Sequence, residues 1–325
     1  MNRTEILVFA SADDLHALAV IDRLNQDCTV SAHLVESDRL AFQESLSWSD
    51  GDGDPAGSLL TAAGGRADVG SCGAAWWRRV YTTQRETARL PDEGQQDVLN
   101  RTCSEALLGL MLSCFSGAWV NDPLRTRTSA NKLVQQVAAA RAGFRVPKSL
   151  VSQEPGRIRE FFDALDGRVV VKAVAGSPRV PLLTRHVRPE HLEAAGPIVA
   201  MPAVYQELIP GTVHLRINCF GDDVHAVEIR TDALDWRADL DVPMSAVDLH
   251  TDLRDRVRGV LDDLGLRMGI VDVKVTPDGE PVWLEVNPQG QFLFLQPLVD
   301  VDYLGAFARF LVTEARGAHL AAAPA

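Results

Sequence analysis

The chain contains no apolar run approaching the roughly 18 residues needed to cross a membrane. Near its start, Asp13 and Asp14 follow a short apolar stretch, where a secretory signal would carry a basic and then a longer apolar region. A cytoplasmic protein that does not engage a membrane is therefore expected. Basic charge is also scarce. The formal net charge of -12 argues against a general nucleic-acid binder, which needs a basic stripe to displace phosphate counterions. The sign does not exclude a nucleotide, because local Lys, Arg and metal charges dominate a phosphate site. The five cysteines (Cys28, Cys72, Cys103, Cys114, Cys219) are odd in number and scattered, with no CxxC pair and no histidine cluster beside them. That pattern suggests neither a disulfide framework nor a zinc site. No Gly-x-x-x-x-Gly-Lys-Ser/Thr run occurs, so a Walker-type phosphate loop is absent.

What is present is a chain of 325 residues with 46% hydrophobic content, enough for two or three globular domains. Residues 6–10 form a short apolar strand, followed by a helical pattern of Leu15, Leu18, Ala19, Ile21 and Leu24 with Ser11 or Asp13 as its N-cap. Residues 29–35 read as the second strand, and 49–73, rich in Asp, Gly and Ala, as a hairpin with mobile turns. Asp50, Asp52 and Asp54 imitate the start of a calcium loop, but Pro55 stands where that loop needs Gly and Thr61 where it needs Glu. Residues 92–115 carry Val98, Leu107, Leu108, Leu110, Met111 and Leu112 at helical spacing, a core-packing stripe that requires no cofactor. Ser129 can cap a helix holding Lys132, Leu133, Val137 and Ala140 that stops at Gly143. Beyond it, 149–204 alternates strand, helix, strand and loop. Strands follow at 215–220, 224–230 and 268–275, with helices at 253–264 and 301–314 and a disordered Ala-rich tail after Arg316.

The most informative segment is 269–291. Asp272 sits in an apolar strand, residues 276–281 supply turn chemistry, and Trp283, Leu284, Glu285, Val286 and Asn287 follow, which together predict an antiparallel hairpin. Asp272 and Glu285 then face each other, and Glu285 shares a strand face with Asn287. Oxygen-only ligands on one face suit Mg²⁺. The bland alternative is a buried hairpin with a few satisfied polar groups.

An Asp followed on the next strand by Glu-x-Asn resembles the ATP-grasp superfamily, and the upstream residues match it in order. Lys132 follows Asn131, Lys172 ends the run Val169, Val170, Val171, and Gln206, Glu207, Leu208 and Ile209 precede Pro210 and Gly211. Trp76, Trp77, Arg78 and Arg79, the Asp235-Trp236-Arg237 triplet, and Asn287-Pro288-Gln289-Gly290-Gln291 resemble more closely the microviridin-type, or graspetide, synthetases, which cyclise ribosomal peptides through side-chain esters and amides. The resemblance covers nearly the whole chain. It implies an α/β protein of the ATP-grasp fold: an N-terminal α/β pre-ATP-grasp domain at 1–122, a central lid at 123–205, a C-terminal α+β metal- and nucleotide-binding subdomain at 206–316, and a tail at 317–325.

The resemblance also implies roles. Lys132 and Lys172 bind phosphates, the hinge from Gln206 through Glu207 and Leu208 to Ile209 meets adenine, and the phosphate-covering loop is 173–180 with Gly176 and Ser177. Asp272, Glu285 and Asn287 hold two Mg²⁺ ions. A carboxylate repels nucleophiles and lacks a leaving group, and phosphorylation by ATP solves both problems. Arg216 and Arg237 are candidates for gripping the γ-phosphate or the substrate carboxylate, since a guanidinium fork pairs with either, and Asp235 would hold Arg237 in place. Structural ion pairing is the alternative for both arginines. Trp76 and Trp77 read as packing. His214, His225 and His250 show no spacing of a catalytic cluster and read as surface or hinge residues. Two departures stand out: His214 where many relatives are acidic, and Gln296 where they carry Glu. The expected reaction is activation of Asp or Glu side chains of a precursor peptide, then attack by Ser, Thr or Lys, in a homodimer. Ligation of an amino acid or amine to a small-molecule carboxylate or peptide terminus is the alternative, and an ATP-binding regulator without chemistry is a third reading.

Overall fold

The computed structural model describes residues 3–50, 55–80, 83–175, 182–193 and 195–322. Asp52, Asp54, Gly176 and Ser177 therefore lie outside the described residues. The chain divides into two compact units. One comprises Met1–Pro123, Gln291–Gln296 and Asp302–Ala325, the other Leu124–Gly290 and Pro297–Val301.

The first unit is built on a parallel sheet. Its strands β1 (Thr4–Ala10) and β2 (Val30–Glu36) are joined by helix α1 (Leu15–Asn25). The N-cap of α1 is Asp14, whose side chain accepts from Ala17 N, in place of the expected Ser11 or Asp13. Those two are instead engaged with each other, Ser11 Oγ donating to Asp13 at 3.0 Å. The expected hairpin at 49–73 is a three-stranded antiparallel sheet of β3 (Ser45–Ser49), β4 (Ala56–Leu60) and β5 (Arg66–Asp68). Strand β6 (Ala74–Trp77) pairs with β1, helix α2 (Glu93–Cys114) follows, and β7 (Ala118–Val120) completes the sheet order β2-β1-β6-β7. Along α2 only Leu107, Leu110 and Met111 are buried. Val98 and Leu112, also assigned to the core stripe, are exposed because the apolar residues wrap around more than one helix face and only one face packs. Trp76 packs edge-on against Phe307 at 4.6 Å, and Trp77 lies tilted against Phe9 at 4.8 Å, both within the core. The C-terminal helix runs Tyr303–Ala322, past the expected start of the tail at 317, as the high helix propensity of its Ala-rich end allows.

The second unit opens with α3 (Pro123–Ser129) and α4 (Lys132–Arg141). Asn131, not Ser129, caps α4 by accepting from Leu133 N, while Ser129 Oγ turns back to Thr126 O. A four-stranded sheet follows, made of β8 (Ser149–Ser152), β9 (Val169–Ala173), β10 (Arg185–His186) and β11 (Ala203–Glu207) in the order β10-β9-β11-β8, with helices α5 (Pro155–Ala164), α6 (Pro189–Glu193) and α7 (Ala195–Ala200). Its own core includes Ile158, Leu165, Val169 and Tyr205.

The connection from β11 to the next strand needs Gly211, which has φ +115° and where a Cβ would fall 2.3 Å from Val275 O. Strands β12 (Val213–Phe220), β13 (Asp223–Arg230) and β14 (Met244–Val247), helix α8 (Thr251–Leu264), and strands β15 (Met268–Val275) and β16 (Pro281–Asn287) then form an antiparallel sheet in the order β14-β13-β12-β15-β16. Leu215, Ile217, Val271, Val273 and Trp283 share a core with Ala138 and Ala139 of α4 and Val257 and Val260 of α8. Side chains alternate across a sheet, so His214, Arg216, Asp272 and Lys274 lie on its opposite face. In the β15–β16 hairpin, Asp272 pairs with Glu285 but Val273 pairs with Trp283, leaving Leu284 as an extra residue. This bulge lets Trp283 and Val286 both enter the core while Glu285 and Asn287 stay on the other face.

Candidate active site

On that face lies a cavity of about 460 Å³, lined entirely by residues of the second unit. It brings together Lys132, Lys172, the hinge residues 206–209, Asp235, Arg237, Asp272, Glu285 and Asn287. Of the residues singled out in the sequence, Arg216 reaches the site through Asp272, to which its Nη1 donates at 2.8 Å.

The charges are tightly arranged. Lys132 Nζ donates to Glu285 Oε2. Burial acts to raise the Glu285 pKa, but Lys132, Lys172 and Arg237 outweigh it and hold the carboxyl down at about 2. Across the hairpin Asp272 behaves oppositely. Burial and the neighbouring Glu285 charge raise its pKa, only partly offset by Arg216 and Arg237. Two facing carboxylates are thus driven apart in proton affinity by their surroundings. Burial, helped by the Lys132 and Arg237 charges, pushes Lys172 down to about 8 against the pull of Glu285 and Asp235.

Arg237 is held by Asp235 through one edge of its guanidinium, Nε to Oδ1 at 2.8 Å and Nη2 to Oδ2 at 2.6 Å, and Arg237 N donates to Asp235 Oδ1 as well. Asp235 also accepts from Thr184 N at 3.4 Å, just ahead of β10. The arginine pKa is raised by this pairing. Arg216 is buried, lies with its guanidinium carbon 5.6 Å from the Trp236 ring centroid, and is committed to Asp272, so it holds an acidic side chain in place.

At the hinge, Gln206 donates its side-chain amide to Ser149 Oγ at 2.9 Å, and Glu207 pairs with Arg145 at 2.8 Å. Glu207 N donates to Lys148 O and Leu208 N to Arg168 O, while Ile209 N has no hydrogen-bond partner among the described residues.

Asp272, Glu285 and Asn287 can be tested as metal ligands from their own environment. The buried Asp272 Oδ1 has no hydrogen-bond partner among the described residues, which leaves a costly orphan acceptor. A hard cation beside an all-oxygen set removes that cost. No group of three His, Cys, Asp or Glu side chains able to hold a metal occurs among the described residues.

Three site residues escaped the sequence reading. Gln135 is buried one helical turn after Lys132 and clamps Val286; its spacing from Lys132 was the available signal. Lys274 lines the cavity, and its signal was the two-residue step from Asp272. His214, assigned to the surface or hinge, is only 3% exposed and lines the cavity too, because it shares the face of β12 that carries Arg216. Burial and Lys274 push its pKa down to about 4.

No family model and no curated protein matches the chain. Solved structures are similar over almost its full length. The macrocyclase MdnC from Microcystis aeruginosa, bound with its precursor peptide MdnA, is 23% identical, with a TM-score of 0.82 over 95% of this chain and 99% of its own. A Chryseobacterium gregarium RiPP-associated ATP-grasp ligase, in complex with ADP and a leader and core peptide, is 22% identical with a TM-score of 0.85 over 98% and 97%. The ATP-grasp ligase PsnB, with a phosphomimetic variant of a minimal precursor, Mg and ADP, is 23% identical with a TM-score of 0.81 over 97% and 100%. The chain has the ATP-grasp fold from end to end.

Proposed function

We propose that this protein is an ATP-dependent ligase that activates Asp or Glu side chains of a ribosomal precursor peptide and closes ester or amide rings. One observation carries the reading: Asp272 and Glu285 face each other directly, with Lys132, Lys172 and Arg237 gathered around the same cavity. Such a site neutralises a triphosphate at one end and admits a carboxylate beside it. The peptide and ADP complexes of proteins with this fold support the choice of substrate.

In this reading the base lies against the hinge at 206–209, and Lys132 and Lys172 take up the phosphates. Arg237, fixed by Asp235, offsets the repulsion between the incoming carboxylate and the γ-phosphoryl group. The carboxylate oxygen attacks the γ-phosphorus, the bond to the bridging oxygen breaks, and ADP departs. A hydroxyl or amine of the peptide then attacks the acyl phosphate and loses its proton, and phosphate leaves. Asp272, Glu285 and Asn287 would hold Mg²⁺, two ions in this reading, and Arg216 would steady Asp272. When bound, Mg²⁺ supplies charge that stabilises the transferring phosphoryl group. Residues 123–205 serve as a lid over 206–316. The enzyme is read as a cytoplasmic homodimer, and among the described residues no helix is long and apolar enough to cross a membrane.

The test is mass spectrometry of a candidate precursor incubated with the protein, ATP and Mg²⁺. Loss of one water per ring, with matching ADP release, is expected. ADP release that depends on an amine and a small carboxylate but never on peptide would favour the alternative ligase reading.

A further inference from the structure

We infer that Arg145, which does not itself line the cavity, is a positioning residue: it ties the hinge to the turn of the β15–β16 hairpin and so sets how far the base end of the cavity stands from the acidic residues at its phosphate end. This rests on the nucleotide reading above. The guanidinium reaches in two directions. Its Nη2 donates to Glu207 Oε1 in the hinge, and its Nη1 donates to Glu280 Oε2 just before β16, each at 2.8 Å. The backbone follows the same route. Arg145 forms a parallel bridge with Val282, and its carbonyl accepts from Trp283 N at 3.0 Å. Lys148 exchanges bonds with Glu207, its N donating to Oε2 at 3.1 Å and its O accepting from Glu207 N at 2.8 Å. Residues 145–148 are thereby bonded both to the end of β11 and to the start of β16.

Both elements that Arg145 joins carry lining residues, Glu207 and Ile209 on one side and Glu285 and Asn287 on the other. Glu280 precedes Glu285 by five residues, roughly 15 Å of extended strand. The hairpin is therefore gripped at its hinge end, and its two-stranded ladder carries the acidic residues at the far end. The Arg145 and Glu280 side chains are 34% and 46% exposed, and an ion pair of that kind adds little to global stability. Its effect is geometric. Without the guanidinium, the Glu207 and Glu280 carboxylates that it holds together would repel each other, and Glu207 would lose a donor that orients it. A ligand held at the hinge alone is indifferent to the spacing of the two elements. One that spans the hinge and the acidic residues gains from having that spacing fixed before it binds.

The experiment is equilibrium titration of the full-length protein with AMP, ADP and ATP, each with Mg²⁺ and without peptide, for wild type, Arg145→Met, Glu280→Ala and the double variant. The wild type should prefer ATP to AMP. Arg145→Met should cut that preference about tenfold while AMP affinity stays within about twofold. Glu280→Ala, on the exposed turn, should cut it about threefold. Adding Glu280→Ala to Arg145→Met should change it by less than about twofold, because the pair is already broken. Arg145→Lys can reach only one carboxylate at a time and should fall between wild type and Arg145→Met. Because the preference compares ligands on one preparation, partial misfolding of a variant does not mimic the effect. An unchanged preference in either folded single variant would overturn the assignment. So would equal weakening of all three nucleotides by Arg145→Met, which would confine its role to the hinge. A folded wild type that binds no adenine nucleotide, or binds AMP as tightly as ATP, would instead overturn the nucleotide reading itself.

Discussion

Gln135 grips both backbone polar groups of Val286: its Nε2 donates to Val286 O at 2.7 Å, and its Oε1 accepts from Val286 N at 3.0 Å. The clamp falls between Glu285 and Asn287, and a further bond to Ser129 O at 2.7 Å anchors the amide within its own helical region. Since α4 also presents Lys132, one side chain fixes the distance between a cation and the acidic strand. Gln135→Met would leave three buried backbone groups unsatisfied. Destabilisation of about 2–4 kcal/mol is expected in urea unfolding, with turnover falling further than ATP affinity. A variant as stable and active as wild type would show that the clamp does not position β16.

Glu285 tests the acidic set. Glu285→Gln is nearly isosteric but removes the charge that Lys132, Lys172 and Arg237 stabilise. Relief from burying a charge offsets part of the lost attraction, so the melting temperature should change little. Peptide-dependent ADP release should fall on the order of 10²-fold or more, about 3 kcal/mol of transition-state stabilisation. Normal ADP release by the folded variant would remove Glu285 from the catalytic set.

The hairpin carrying this residue was legible because its signals are local. Turn residues at 276–281 between β-branched runs specify the pairing, and the pairing puts Asp272 opposite Glu285. The bulge at Leu284 was not read, although adjacent Trp283 and Leu284 break the alternation that an unbulged strand would keep. Helix ends at α1 and α4 were misplaced by one to three residues because several capping residues stand in a row, and tertiary partners decide which one is free to cap. His214 and Lys274 come together only through the strand order β12-β15, a long-range pairing that no local periodicity encodes.

Substitution of Arg237 tests whether phosphate transfer and nucleotide binding can be separated. One edge of its guanidinium is held by Asp235, so Lys at this position keeps a positive charge but loses the two-point hold. Arg237→Lys should retain ATP affinity through Lys132, Lys172 and the hinge, while peptide-dependent ADP formation falls roughly tenfold to a thousandfold, or about 1.4 to 4 kcal/mol. Asp235→Asn should act in the same direction, since it loosens the same guanidinium. If ATP affinity collapsed in Arg237→Lys while turnover at saturating ATP stayed normal, Arg237 would be a nucleotide contact.

His16 gives the first unit a pH-dependent stability. Phe292 N and Leu293 N both donate to His16 Nε2 at 3.1 Å, so this nitrogen must remain unprotonated. Burial, with the Arg78 charge, pushes the His16 pKa from 6.5 down to about 4. Between those values the unfolded chain binds the extra proton and the folded chain does not, so stability rises with pH across that window. The contribution is complete above about pH 6.5 and is lost as pH falls towards 4, to a total of about 2–3 kcal/mol. Protonation would also set a donor against two donors. Denaturant unfolding of wild type and His16→Asn at pH 8, 6 and 4.5 measures the effect. The variant should lose stability at pH 8, yet the gap between the two proteins should narrow at pH 4.5, because only wild type has this proton to take up on unfolding. A gap that stays constant across the three pH values would mean that His16 does not titrate differently in the folded and unfolded chains.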